Sequence, residues 1–415
     1  TNRNDNNDNN NKNILTLTND KITTVPLLMM DRRSAMMMAT ATTTAATTWT
    51  QLPLSVEAAD ATTSDATLDI PTAIKDPSTS NKNQIPTIPC WTLEGDVRMP
   101  IMALNTAGLT LEGTERALEL AVQNGITHVD FHPARERDGV AKYLERLEIT
   151  GSGIGGTNTK RSDLFLTTKI NIAPKGISPV DAANRVRDQI EEDLAILNVK
   201  NVDMLMLRDS PDAAVIQSQW AALEEALQKG QTRAIGVINF CEFSLNSVLQ
   251  TAKIKPAVNY YLTHVGMGVD PKGLRSFGEA RGIHTFAYGA LGEPGPNKEL
   301  LLDSPVVTQI AASHNVSTAA VALRWIVQSG AAVSVRPTKE FGLGTATCSA
   351  EKSASLSCNE GLHERATTFQ WELTNSEMKE LTALTSPTDN PTLFSSAGCP
   401  DAFGMKDMIK YMKSQ

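Results

Sequence analysis

The chain has 415 residues, of which 41% are hydrophobic and 20% charged, and its net charge is −8. This composition is typical of a soluble globular protein with enough apolar residues for a large core. The acidic balance, without a long run of lysine or arginine, argues against nucleic acid as a partner. No stretch approaches the roughly 20 apolar residues that span a bilayer, so we expect no transmembrane segment.

The cysteines are scattered and show no spacing typical of a zinc site, so we expect no bound metal. Their odd number favours free thiols. A local disulfide between Cys348 and Cys358 is the alternative. The five positions are Cys90, Cys241, Cys348, Cys358 and Cys399.

The first 87 residues differ in composition from the rest. An asparagine tract, TNRNDNNDNNNKN, precedes the methionine-rich MMDRRSAMMM and the threonine-rich ATATTTAATTWT. Such polar, low-complexity sequence cannot bury enough apolar surface to offset the entropy of ordering, so residues 1–87 are predicted to form a disordered leader or linker. Residues 29–50 contain two arginines and no acid after Asp31, as in organelle transit sequences. Import into a plastid or mitochondrion and a plain tail on a cytoplasmic protein are the two alternatives.

From Trp91 onward, short apolar runs alternate with amphipathic helical stretches, the pattern of repeated strand–helix units around a parallel sheet. The helical stretches carry apolar residues three and four apart, as at Val186, Ile190 and Leu194. Eight strands are predicted, at 102–107, 128–131, 164–170, 202–208, 234–238, 257–263, 284–290 and 332–337. Eight such units predict an α/β fold, a (β/α)8 TIM barrel, over residues 88–390.

Three further segments flank or interrupt this barrel. Residues 92–100 read as a hairpin that turns at 94–96 and could close the bottom of the barrel. Residues 341–358 are rich in glycine, serine and alanine and lack an apolar period, which indicates an inserted loop near the ligand-binding face. Residues 391–415 form a C-terminal tail.

Function in barrels of this kind lies where the strands end. Charged and hydrogen-bonding residues are concentrated at the predicted strand ends, and we expect them to meet on one rim. They are Asp130, Lys169, Arg208, Asn239, Tyr260, Tyr288 and Arg336.

Seven segments in order resemble the aldo-keto reductase family, over about 300 residues. They are GITHVD (125–130), LFLTTKI (164–170), IEEDLAILNVKNVDMLML (190–207), WAALEEALQKGQTRAIGVINF (220–240), KIKPAVNYYLTH (253–264), GIHTFAYGALG (282–292) and VALRWIVQSG (321–330). The resemblance implies carbonyl reduction by NADPH, with a tyrosine as the acid, a lysine and an aspartate that lower its pKa, and a histidine that orients the substrate.

Two of these four catalytic positions are changed. The resemblance places the aspartate at Asp130 and the lysine at Lys169. The tyrosine is expected five residues after the aspartate, where Arg135 stands, and the histidine at the end of the fourth strand, where Arg208 stands. A guanidinium does not release a proton near neutral pH, but it can stabilise negative charge. The three cations beside one aspartate would form a pocket for a carboxylate or phosphate.

The alternative is that no anion site forms, because Arg135 faces solvent and Arg208 pairs with Asp209 or Asp212. His132, two residues after the aspartate, is a candidate replacement acid. It is otherwise an ordinary loop residue.

The resemblance also assigns candidate cofactor-binding residues. Tyr288 matches the tyrosine that stacks on the nicotinamide, and Asn239 matches the asparagine that binds its carboxamide. Their usual serine and glutamine partners are replaced by Ile238 and Tyr260, and Tyr260 is kept as a candidate cofactor-binding residue. NADP(H) is therefore a possible cofactor rather than an assured one.

The segment that holds the 2′-phosphate in the family is also altered. It reads Arg336, Pro337, Thr338 and Lys339 here, and the glycines of the first strand appear as Ala103 and Asn105. Arg336 and Lys339 remain candidates for binding the phosphate, although the insertion begins directly after them.

Three functions follow from these substitutions. The leading hypothesis is a catalytically impaired aldo-keto reductase-like protein that acts as a binding or structural subunit with protein partners, since loss of a general acid typically costs about 10² to 10⁴ in rate. The second is an NADPH-dependent carbonyl reductase with altered proton donation. The third is a sensor that binds an anionic metabolite or a nucleotide.

Overall fold

A computed structural model describes residues 86–150, 159–292, 301–337 and 358–384 of the chain. Two short antiparallel strands come first, followed by eight strands that close into a barrel. The ten strands are β1 Cys90–Leu93, β2 Val97–Pro100, β3 Met102–Asn105, β4 His128–Asp130, β5 Phe165–Lys169, β6 Val202–Arg208, β7 Thr232–Ile238, β8 Val258–Leu262, β9 His284–Tyr288 and β10 Ala332–Val335.

The barrel strands are parallel and run in the order β3 to β10, with β10 pairing back to β3 to close the ring. All eight predicted strands are observed, most of them one or two residues shorter than predicted, and the TIM-barrel prediction is confirmed. A parallel barrel gathers the carboxyl ends of all its strands on one face, which is what brings the predicted rim residues together.

The predicted hairpin is also confirmed. Strands β1 and β2 pair antiparallel around the turn at 94–96. Trp91, Leu93 and Met99 pack with the residues that fill the barrel interior, and the Trp91 ring stacks on His284 at the start of β9. The hairpin therefore covers the amino end of the barrel, opposite the rim.

Helices connect the strands and shield the outside of the barrel. They are α1 Leu111–Gln123, α2 Arg135–Thr150, α3 Pro179–Leu197, α4 Ala213–Gln228, α5 Glu242–Leu249, α6 Leu274–Glu279, α7 Pro305–His314, α8 Thr318–Gln328, α9 Cys358–Ala366 and α10 Asn375–Ala383. Their apolar stripes face the strands, as with Val186 and Ile190 of α3, which are fully buried. Side-chain caps such as Ser178 on α3 and Asp212 on α4 fix where these helices begin.

Several predictions concern residues outside the described ranges. Residues 1–85 of the leader, nearly all of the insertion at 341–358 and the tail at 391–415 belong to this group. Within the described part of the chain, no helix is long and apolar enough to cross a membrane. The same residues contain no group of three or more histidine, cysteine, aspartate or glutamate side chains that could hold a metal.

The cysteines only partly follow the expectation of free thiols. Cys90 is free, whereas Cys241 and Cys358 each take part in a disulfide. The expectation was wrong for these two residues, because sequence spacing does not show which sulfur atoms the fold brings together.

Candidate active site at the carboxyl end of the barrel

The site is centred on a buried ion pair between the ends of adjacent strands. Lys169, the last residue of β5, contacts the carboxylate of Asp130, the last residue of β4, and both side chains are fully buried. The lysine also donates to the carbonyl oxygen of Phe131 at 3.3 Å. Burial alone would raise the pKa of Asp130, but Lys169 and its other polar neighbours hold it below its usual value. Asp130 is therefore ionised near neutral pH.

Two hydroxyl groups complete the shell around Asp130. Tyr260 of β8 donates at 2.6 Å and Ser334 of β10 donates at 2.7 Å to the same carboxylate oxygen. Burial and the neighbouring carboxylate raise the pKa of Tyr260 well above its usual value. The hydroxyl proton of Tyr260 is thus hydrogen-bonded to Asp130. Because its pKa is raised, this residue is poorly suited to donate a proton to a substrate.

Arg208 ends β6 at the same carboxyl end of the barrel and is half-buried. We call the space bordered by Asp130, Lys169 and Arg208 the pocket. Among the described residues, its guanidinium has no ion pair or hydrogen bond; burial lowers its pKa, and Tyr288 and Asp130 act in the opposite direction. The two acids considered as partners are used elsewhere. Asp209 accepts from the backbone of Ser210, and Asp212 caps α4. Among the described residues, Arg208 is therefore a cation at the pocket whose charge is not balanced by an ion pair.

His132 lies beside this pocket on the short connection from β4 to α2. Its Nδ1 is 2.9 Å from a carboxylate oxygen of Glu136. Burial lowers the pKa of His132, and Lys169 and Arg208 lower it further, against the opposing effect of Glu136. Both of the pocket's cations therefore act electrostatically on this histidine, although it is not at a strand end.

Arg135 is not part of this group. It is the first residue of α2, and its side chain is exposed. The principal charges that act on Asp130 and Lys169 come from one another and from His132, Glu136 and Arg208. The position five residues after the aspartate therefore lies on the surface, at the start of α2.

Asn239 and Tyr288, the two candidates for binding a nicotinamide, are bonded to each other on the rim. The Tyr288 hydroxyl donates to Oδ1 of Asn239 at 2.9 Å, and the Tyr288 ring centre lies 4.9 Å from that of Tyr260. Asn239 adopts a left-handed backbone with φ 58°, which asparagine tolerates. Its Nδ2 has no hydrogen-bond partner among the described residues and is available for a carboxamide oxygen, so this pair fits a nicotinamide ring.

The two basic candidates for a cofactor phosphate are less well defined. Arg336 follows β10 and is half-buried, and its carbonyl oxygen accepts from Nε of Arg365 at 2.8 Å. This contact ties the end of β10 to α9. Lys339 lies outside the described residues.

Comparison with known proteins agrees with this architecture. Residues 101–343 match the model of the aldo/keto reductase family, which is more than half of the chain. The chain belongs to the aldo/keto reductase family.

Curated members of the family are similar over most of their length. A sequence named NADPH-dependent codeinone reductase 1-4, from Papaver somniferum, is 29% identical over 323 residues, covering 72% of this chain and 89% of the relative. The glyoxal reductase of Bacillus subtilis (strain 168) is 30% identical over 273 residues, covering 66% and 83% respectively.

Solved structures show the same fold at lower identity. An aldo-keto reductase from a deep-sea metagenome library superposes with a TM-score of 0.60 at 20% identity, covering 75% of this chain and 99% of its own. Aldose reductase from Schistosoma japonicum superposes with a TM-score of 0.58 at 21% identity, covering 76% and 98%.

Two residues of the site were not predicted from the sequence or from the family resemblance. Ser334 lies two residues before Arg336, on the inward-facing side of β10, and its position could have been found from strand alternation. Glu136, in the first turn of α2, bonds to the backbone N–H and approaches the imidazole of His132, which precedes the helix. Both depend on contacts that no family motif predicts.

Proposed function

We propose that this chain is an NADP(H)-dependent reductase of carbonyl compounds that takes its proton from a group other than residue 135. The observation that carries the proposal is the buried Asp130–Lys169 ion pair. Through Tyr260 this pair is joined to Asn239 and Tyr288, so the charged group and the nicotinamide contacts belong to one pocket.

The energetic cost of this ion pair supports a working site. Moving a charged group out of water into a protein interior costs roughly several kcal/mol for each ion. Replacing a buried ion pair by apolar residues therefore often leaves the stability of a protein unchanged or raises it. A barrel that served only as a scaffold would have no need of a charged pair at its centre. A reductase does, because a buried cation beside the reacting carbonyl stabilises the negative charge that develops on its oxygen.

The cofactor proposal rests on the fit of the rim. The amide of Asn239 and the half-buried ring of Tyr288 present the contacts that a nicotinamide needs. The similar codeinone reductases are named as NADPH-dependent. A bound NADPH would supply a hydride, and the chain's own residues would have to supply the proton.

A second candidate function keeps the binding and loses the reaction. Arg135 is exposed and Tyr260 is committed to Asp130, so neither provides the family's acid. In this version the barrel is a nucleotide- or anion-binding subunit, and Arg208 at the pocket mouth would hold the anionic ligand. This candidate joins the leading hypothesis from the sequence, an impaired binding or structural subunit, to the third, a sensor of an anionic metabolite or a nucleotide. The buried ion pair is the reason for preferring the reductase.

NADPH binding and turnover separate the two candidates. NADPH and NADP⁺ would be titrated by fluorescence, and a panel of aldehydes, quinones and 2-oxo acids would be assayed for oxidation of NADPH. Binding with turnover supports the reductase. Binding without turnover supports the binding subunit, and no binding of either nucleotide overturns the reductase.

A matched pair of lysine variants shows whether any turnover comes from this pocket. Lys169→Met is expected to abolish it, while Lys229→Met at the exposed end of α4 should leave it unchanged. Equal turnover in the two variants would show that the reaction does not take place in this pocket.

A further inference from the structure

The connection between β4 and α2 decides which side chain reaches the pocket. Asp130 ends β4 and Arg135 begins α2, so only residues 131–134 lie between them. Ala134 adopts a left-handed backbone with φ 72°, which is strained for any residue with a Cβ and is typical of a tightly determined turn. This turn sends Arg135 to the surface and leaves His132 beside the pocket.

Glu136 holds His132 in place. One of its carboxylate oxygens accepts from the backbone N–H of His132 at 3.0 Å and is 2.9 Å from Nδ1 of the same residue. Thr106 donates to that oxygen at 3.0 Å, and the backbone of Gly108 donates to the other at 3.0 Å. These bonds anchor the carboxylate to the loop after β3 and fix the imidazole ring.

The ring is therefore oriented with Nδ1 towards Glu136 and Nε2 on the opposite edge. The His132 side chain is 31% exposed to solvent, whereas the Glu136 side chain is 12% exposed. Burial would raise the pKa of Glu136, but the hydrogen bond and charge of His132 together with Gly108 lower it to about 2. Glu136 thus stays ionised across the working pH range and selects the tautomer with a proton on Nδ1.

The charged groups that face His132 come from four elements. They are Asp130 of β4, Lys169 of β5, Arg208 of β6 and Glu136 of α2. A histidine that a fixed carboxylate orients, and on which two cations of the pocket act, has the arrangement of a general acid or base.

We propose that His132 is the proton donor of this reductase and that Glu136 is its positioning residue. The inference rests on the proposed function, because it concerns the proton half of carbonyl reduction. As hydride reaches the carbonyl carbon, the C=O π electrons move to oxygen. The oxygen takes the Nε2 proton of the His132 imidazolium. The products are an alcohol, an oxidised nicotinamide from which the hydride came, and a neutral imidazole, and Glu136 remains a carboxylate throughout.

The test compares His132→Gln and Glu136→Gln with His284→Gln. His284 is a matched control because it is also partly buried but stacks on Trp91 at the opposite end of the barrel. His132→Gln is expected to lower kcat roughly 100-fold or more, the usual effect of losing a general acid. NADPH affinity should change little in all three variants.

The dependence of the reduction rate on pH gives a second readout. It would not change if His132 had only a structural role. Because the imidazolium is the acid, wild-type reduction should become faster as pH falls from 8 through the lowered pKa of His132. This dependence should vanish in His132→Gln. In Glu136→Gln it should move to lower pH, since a stabilising carboxylate has been removed.

Histidine NMR titration measures the same pKa without turnover. The His132 signal should titrate at lower pH in Glu136→Gln than in wild type, while the His284 signal stays unchanged. An unshifted His132 signal overturns the pairing with Glu136. Wild-type turnover that survives in His132→Gln with its pH profile intact overturns this inference alone, whereas absent wild-type turnover overturns the proposed function and this inference with it.

Discussion

The Tyr260 hydroxyl donates a 2.6 Å hydrogen bond to Asp130, joining β8 to β4 across the inside of the barrel. The next residue, Tyr261, belongs to the outer layer, and its hydroxyl is 2.9 Å from that of Thr285. These two adjacent buried tyrosines thus place their hydroxyls against different groups, a carboxylate for Tyr260 and the hydroxyl of Thr285 for Tyr261.

This pair predicts a difference in stability. Tyr260→Phe should lower the free energy of unfolding by about 1.5 to 3 kcal/mol, and Tyr261→Phe by about 0.5 to 1.5 kcal/mol, because hydrogen bonds to charged groups are the stronger class. Urea unfolding measured at pH 7.5 would compare them. Equal losses would contradict the description of Asp130 as an ionised acceptor.

Removal of Lys169 should be more costly than removal of the tyrosine hydroxyl. Lys169→Met leaves Asp130 buried without its cation, and breaking a buried pair in this way typically costs about 3 to 5 kcal/mol. The pKa of Asp130 should rise at the same time. The double variant Asp130→Asn/Lys169→Met provides the control, because it removes both charges and should recover part of the lost stability. A double variant as unstable as Lys169→Met would be inconsistent with an ion pair.

Stability should also fall in mild acid because of His128. This histidine is fully buried, with Nδ1 2.8 Å from the Pro100 carbonyl oxygen and Nε2 2.7 Å from the Thr167 hydroxyl. Burial lowers its pKa from 6.5 to about 4. Below pH 6.5 the unfolded chain binds a proton that the folded chain does not. The stability is therefore complete above pH 6.5 and decreases towards pH 4, by up to about 1.4 kcal/mol per pH unit.

Unfolding midpoints at pH 7.5, 6 and 5 would measure this decrease. His132, His264 and His284 also have lowered pKa values and contribute in the same direction. The specific control is His128→Asn, which should be less stable at pH 7.5 but show a shallower dependence on pH. A slope identical to that of the wild type would exclude His128 as a contributor.

Arg208 should show a conflict between stability and binding. Because its half-buried guanidinium has no ion pair among the described residues, Arg208→Met should leave the free energy of unfolding unchanged or raise it by about 1 kcal/mol. The same change should weaken the binding of a carboxylate such as a 2-oxo acid. Calorimetric titration of wild type and variant would measure both the affinity and its dependence on salt. If the variant binds as tightly as the wild type, the arginine is not part of the ligand site.

A tyrosine at position 135 should not restore the family's acid. Arg135 is exposed on the first turn of α2, so Arg135→Tyr places a hydroxyl at the surface. Turnover and its pH profile should match those of the wild type. An increase in rate that is lost again in an Arg135→Phe variant would show that the β4–α2 connection can move this residue into the pocket.

Prediction from the sequence was most successful where the pattern is local or repeated. Alternating apolar runs and helical stretches identified all eight strands, because each unit must bury one face on its neighbours. The hairpin at 92–100 was predicted from its turn at 94–96. Candidate residues at strand ends, among them Asp130 and Lys169, were identified because a parallel barrel brings those ends together.

Prediction was least successful where a short loop sets the direction of a side chain. Counting residues from Asp130 led to Arg135, but the number of residues that precede α2 decides which one faces the pocket. Tyr260 is a cofactor-binding candidate by its position, and the bond from its hydroxyl to Asp130 was not predicted. Neither outcome can be read from spacing, because each depends on atoms brought together from different strands.

The sequence by itself determined the barrel, its family and the set of polar groups at its mouth, since these follow from periodicity and from the order of the motifs. Only the tertiary structure decided how those groups are paired. It leaves Arg208 without an ionic partner among the described residues and puts His132 rather than Arg135 beside Lys169. The physical reason is that hydrogen bonds and ion pairs act over a few ångströms, so a turn of four residues is enough to exchange one side chain for another.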